Sequence, residues 1–271
     1  MANFFSYKTL DLEIISSCKS IILQFIDPEI NPTTILELEH FFSWLCNHIE
    51  VNTVLISGKE NIFSHGFNLP EFSNLNNSEI QTLWEKLQKI VYMLFFLPQT
   101  LIFDLKESAY GAGAEFSIGG DIRIAQEGAE IKFDQLKKGL IPNCGGIGFL
   151  ESIIAPAYVR NWILTGDKIP KEQLISSGFI HSFYDESNSN YGKNLMENFS
   201  SISPIARIQA KRSLLEPLLP KLEKSLVFES KFSFATLNIN DWRKQLTNNL
   251  SNFCSAKDLS VLLSKETKSI N

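Results

Sequence analysis

Residues 109–125 read AYGAGAEFSIGGDIRIA, and the puzzle lies in the first half, where one carboxylate, Glu115, sits among glycines, alanines and a phenylalanine. A carboxylate in apolar surroundings is costly unless it is paired or used. Glycines weaken a helix or strand unless the backbone must approach something closely. Both features fit a small ligand that meets backbone N–H groups and one acid.

The 271 residues can bury a sizeable core, and a composition 44% apolar and 20% charged belongs to a globular chain rather than a disordered one. A net charge of −5 argues against broad nucleic-acid binding, which needs a basic face. The four cysteines, Cys18, Cys46, Cys144 and Cys254, are scattered without short spacing. Free thiols in a reducing compartment are expected, with neither a disulfide framework nor a thiolate metal site. The start shows no basic region followed by an apolar block, so no signal peptide is expected. The longest apolar run, IVYMLFFL at Ile90–Leu97, is too short to span a bilayer. A cytoplasmic protein without membrane or nucleic-acid partners is expected.

LDLEIISSCKSIILQFI near the start reads as short strands closed off by Pro28 and Pro32. TTILELEHFFSWLCNH, Thr33–His48, has helical periodicity, and VNTVLISG is a buried strand ending at Gly58. Ser78 followed by Gln81 has the capping-box pattern and predicts a helix reaching about Phe96, before Pro98. TLIFDL is a further buried strand, followed by a short helix around Glu115 and the strand DIRIA. Alternating strands and helices predict an α/β fold. Beyond Gly146 the chain reads as mainly helical, with Ser203-Pro204 opening one helix and an amphipathic helical tail from about Pro217 to Asn271.

Several chemistries find no support. The dinucleotide fingerprint needs a third glycine where this chain has Phe116, and there is no phosphate-binding P-loop. The histidines, His40, His48, His65 and His181, lack metal-ligand spacing, so no metal is expected. No GxSxG elbow supports a serine nucleophile.

Three stretches remain: TVLISGKENIFSHGFNL, ESAYGAGAEFSIGGDIRIA and AEIKFDQLKKGLIPNCGG. Their order, spacing and residue types resemble the crotonase, or enoyl-CoA hydratase/isomerase, superfamily. ILTGDKIPKEQLISSGFIHSFYD and SPIARIQAKRSL downstream extend the resemblance from about residue 10 to 215. It implies a spiral of ββα units making two sheets ringed by helices, with a C-terminal helical region. The expected division is a core over 1–200 and a helical packing or oligomerisation region over 201–271. A homotrimer or hexamer is also implied.

The resemblance further implies a thioester substrate, coenzyme A or pantetheine-linked, and no other cofactor. Two backbone N–H groups would form an oxyanion hole for the carbonyl as it becomes an enolate, and they map to Phe67 and Ala112. Glu115 takes the place of the family's first catalytic glutamate. His65, Gly66, Tyr110, Gly111 and Gly113 line the expected substrate site. The chain departs from the family pattern at Gln135, which stands where a hydratase has its second glutamate and is preceded by Asp134 instead of proline. An amide holds a water or a substrate but does not shuttle protons, and losing a general acid/base typically costs about 10²- to 10⁴-fold. Asn68 and Pro70 replace an aspartate and a basic residue near the coenzyme A nucleotide, leaving Lys59, Lys211 and Arg212 as candidate cations.

Three readings follow. One is an enoyl-CoA hydratase/isomerase of fatty acid metabolism type, with isomerisation or decarboxylation easier than hydration. The second is a polyketide or fatty-acid tailoring enzyme acting on acyl-carrier-protein substrates. The third is a thioester-binding homologue with reduced chemistry.

Overall fold

Alternating residues of the buried strands face two different cores, which explains why their sequences are almost continuously apolar. The computed structural model describes residues 6–247. Its first half runs β1 (Leu10–Ile15), β2 (Ser20–Phe25), β3 (Glu29–Ile30), α1 (Pro32–Leu45), β4 (Thr53–Gly58), β5 (Gly66–Phe67), α2 (Leu69–Phe72), α3 (Asn77–Leu94), β6 (Thr100–Asp104), β7 (Ser108–Tyr110), α4 (Ala112–Phe116), β8 (Ile122–Gln126) and β9 (Glu130–Lys132). Then follow α5 (Leu150–Ile153), α6 (Pro156–Thr165), α7 (Lys171–Ser176), β10 (Ser182–Tyr184), α8 (Tyr191–Ser200), α9 (Pro204–Leu215), α10 (Leu219–Ile239) and α11 (Asp241–Leu246).

The main sheet has the order β1-β2-β4-β6-β8-β10, antiparallel only between β1 and β2. From β2, β4 and β6, Leu23, Val54, Ile56, Leu101 and Phe103 enter the large core with α1 and α3. Ile22, Leu55 and Ile102 point the other way and meet Met196 under α8. A second ladder pairs β3 with β5 and β7 with β9 in parallel, and a bridge between Ser64 and Ala109 connects the two pairs. This small ladder carries the turns of residues 64–67 and 108–112.

The sequence expectations for fold class and strand positions agree with this architecture. The cap of α3 differs. Asn76, not Ser78, is the N-cap, and its side chain accepts from Glu79 N–H while Glu79 bonds back to Asn76 N–H. The acidic Glu79 complements the helix N-terminus better than an amide does. Gln81 instead bonds Glu85 and the Ser230 carbonyl. Ser203 caps α9 as expected. The helical reading of the tail holds for α10 and α11, and residues 248–271, with Cys254, lie outside the described residues. Cys46 and Cys144 are free thiols. Among the described residues, no helix is long and apolar enough to cross a membrane.

Candidate active site

Strand β5 and the turn entering α4 meet at close range. A Cβ on Gly66 would fall 3.2 Å from Ala112 N and 3.0 Å from Tyr110 O, so a larger residue would push the two segments apart. Gly111 has φ 50° and ψ −122°, a conformation that side-chain-bearing residues avoid. Its N–H is tied to Lys132 O at 3.0 Å, which fixes the turn on β9.

The two backbone groups singled out by sequence stand at this junction. Asn68 N–H donates to Ile30 O at 3.0 Å. The Phe67 ring packs on Trp84, with centroids 5.0 Å apart, and on Phe72. Ala112 is the first residue of α4, where an N–H has no partner within the helix. Gly113, one residue on, is pressed against the Ser64 side chain.

Glu115 lies on α4 and is completely buried. Its Oε1 accepts from the N–H groups of Cys144 and Gly146, both at 2.9 Å. Gly146 must be glycine here, because a Cβ would fall 2.6 Å from that oxygen. Gln135, in the short 3₁₀ turn after β9, donates Nε2–H to Glu115 Oε2 at 2.6 Å. Glu115 and Gln135, twenty residues apart in the chain, are in direct contact. Burial, and then the charge of Glu229, push the Glu115 carboxyl up to about 8 against the three hydrogen bonds that favour its ionised form.

Asp134 also reaches the turn. Its Oδ1 lies 3.1 Å from the Cβ position of Gly111, and 3.1 Å from Lys138 Nζ. It is therefore an ion-paired neighbour of the site. On the outward face of the small ladder, His65 stacks on Tyr110, with centroids 4.8 Å apart and planes at 9°. Lys132 Nζ sits 3.8 Å from the Tyr110 ring centroid, and Ser108 Oγ is 3.4 Å from His65 Nε2. Burial lowers the His65 pKa and raises that of Tyr110. These two form a half-buried rim beside Gly66 and Gly111 rather than part of the Glu115 pair.

Sequence reasoning missed Glu229 of α10. This buried carboxylate accepts from the N–H groups of Gly145 (2.9 Å), Ile147 (3.2 Å) and Gly148 (2.8 Å). A signal existed in the helical period: Leu222, Glu229, Ser233 and Leu237 share one buried face, which places an acid on an inward stripe.

Comparisons with known proteins agree with this architecture. The short-chain-enoyl-CoA hydratase of Clostridium acetobutylicum is 23% identical over 220 residues, covering 80% of this chain and 84% of that protein. The putative enoyl-CoA hydratase/isomerase YngF of Bacillus subtilis is 27% identical over 198 residues, covering 72% of this chain and 76% of its own length. Among solved structures, an enoyl-CoA hydratase from Mycobacterium avium subsp. paratuberculosis K-10 superimposes with a TM-score of 0.81 at 17% identity, over 90% of this chain and 100% of that one. The family model for enoyl-CoA hydratase/isomerase matches residues 21–254, most of the chain, and the protein accordingly belongs to the enoyl-CoA hydratase/isomerase family.

Proposed function

We propose that this protein moves a proton along the acyl chain of an enoyl thioester, an allylic isomerisation in which Glu115 is the only acid/base. The N–H groups of Phe67 and Ala112 receive the thioester oxygen as it takes up enolate charge, each donor being worth about 3 kcal/mol of barrier. Ionised Glu115 removes a proton from C2 of a 3-enoyl thioester. The C2–H electrons enter the conjugated enolate and the double bond migrates. Protonated Glu115 then returns the proton at C4, so atoms and charge balance with no water consumed.

The observation that carries this reading is the contact between Gln135 Nε2 and Glu115 Oε2 at 2.6 Å. An amide occupies the position from which a second carboxyl would act. Hydration needs one group to deprotonate water and a proton delivered to C2, whereas isomerisation is complete with one carboxyl. A group that titrates at about 8 supplies both protonation states near neutrality.

The test compares 3-enoyl-CoA and crotonyl-CoA on the wild type, Glu115→Gln and Gln135→Glu. Isomerisation by the wild type, a loss of about 10²- to 10⁴-fold in Glu115→Gln, and hydration emerging in Gln135→Glu are expected. Isomerisation that survives Glu115→Gln would refute the assignment.

The acyl carrier has a second reading with its own support. Lys211 is held by Asp121 at 2.7 Å and by the Gln99 carbonyl, and Lys59 lies 3.9 Å from Asp11. With Lys211 engaged, a carrier protein offering the same pantetheine arm without the nucleotide is a second acyl carrier for the site.

A further inference from the structure

Residues 144–148 present a run of backbone N–H groups that serve two buried carboxyls. Cys144 and Gly146 donate to Glu115 Oε1, whereas Gly145, Ile147 and Gly148 donate to Glu229. Over the first four positions the donors alternate, so the loop backbone lies between the two acids.

The partners of the two acids differ in one decisive respect. Each oxygen of Glu229 accepts twice: Oε1 from Ile147 and Gly148 N–H, Oε2 from Gly145 N–H and from Gln88 Nε2 at 3.4 Å. The Gln88 amide is locked in that orientation, because its Oε1 accepts from Ser230 Oγ at 2.9 Å and its Nε2 also reaches the Leu226 carbonyl. A proton on either Glu229 oxygen would face donors and find no acceptor. Glu115 is surrounded differently. Its Oε2 meets only Gln135 Nε2, and the Gln135 Oε1 is buried without a partner. Rotation of that amide would turn an acceptor toward a protonated Glu115.

We propose that Glu229 is a positioning residue that keeps the exchangeable proton of this acid pair on Glu115, by occupying the alternate N–H groups of loop 144–148 as a permanent carboxylate. The inference rests on the reading of Glu115 as the proton carrier. The titratable groups acting on Glu115 are Glu229 from α10 and the Cys144 thiol from the loop. Burial and the two acids hold that thiol neutral, far above its usual range. Asp134 beside the site is paired with Lys138. Burial raises the Glu229 pKa as well, but its four donors oppose that shift.

The test is a carboxyl-carbon NMR titration of the resting protein labelled at glutamate, with the Glu115 signal assigned by its disappearance in Glu115→Gln. No substrate is involved, so a failure to find isomerase activity leaves this result intact. In the wild type, Glu115 is expected to titrate near pH 8, with Glu229, held by its donors, already ionised across that step. In Glu229→Gln the Glu115 titration should move down by about one to two pH units. Glu229→Asp keeps the charge but shortens the reach, and should retain most of the elevation. A purely structural role predicts that both variants shift Glu115 equally, which would overturn the proposal. So would an unchanged titration in a folded Glu229→Gln protein. Where Glu229→Gln fails to fold, the wild-type titration decides, and a protonated Glu229 at neutral pH sinks the proposal.

Discussion

Under the proposed mechanism, Glu115 links stability and activity to pH with opposite signs. Its carboxyl is shifted from an ordinary 4.5 in the unfolded chain to about 8 in the fold. Between these values the folded protein holds a proton that the unfolded chain has released, so stability is greatest below the lower value and falls as pH rises through the upper one. The drop across this window is on the order of several kcal/mol. The base step needs the ionised form, so kcat/KM for isomerisation should rise through about pH 8. Glu115→Gln tests the stability half by thermal unfolding at a series of pH values. The introduced amide can keep its oxygen on the Cys144 and Gly146 N–H groups, and Gln135 can turn to accept its NH₂. The variant should lose the decline in Tm toward pH 8, and an identical decline would show that another group causes it.

At the scale of elements, motifs contained in one stretch were legible and contacts across the chain were not. The glycine at 111 and the acid at 115 could be singled out because they stand together in one stretch, in a turn whose backbone favours glycine. Glu229 stayed hidden because the N–H groups it serves belong to residues 145–148, far away in the chain, and only the tertiary fold brings them together. The start of α3 shows a milder form of this limit. Asn76/Glu79 and Ser78/Gln81 both fit the capping pattern, and local sequence does not say which pair closes. The structure uses the first. Asn76→Ala should therefore cost about 1 kcal/mol in urea unfolding, with Ser78→Ala costing a few tenths at most. The reverse order would assign the cap to Ser78.

For the whole molecule, the two-faced sheet has a separate core on each side, and α10 brings Glu229 to the loop that holds Glu115. Its fold class followed from sequence because apolar strands separated by amphipathic helices leave few arrangements. The carrier did not follow, because whether a lysine is available depends on its partners. Lys211 read as a candidate phosphate ligand, yet it is bound to Asp121 and to the residue just before β6. With Lys211 held by two acceptors, an enoyl-pantetheine should react with kcat/KM within about tenfold of the coenzyme A thioester. A much larger advantage for coenzyme A, measured side by side, would establish nucleotide contacts and remove the case for a carrier protein.

In the proposed mechanism one carboxyl, partnered by an amide, moves a proton without adding water. Its most direct test is liquid chromatography with mass spectrometry of a 3-enoyl thioester incubated with the wild-type protein in water labelled with heavy oxygen. The expected product has its double bond in conjugation and carries no heavy oxygen. A 3-enoyl thioester left unchanged, together with labelled oxygen entering a 2-enoyl thioester as a 3-hydroxyacyl product that is lost in Glu115→Gln, would contradict the mechanism and make the protein a hydratase that works with Gln135 in place of its second acid.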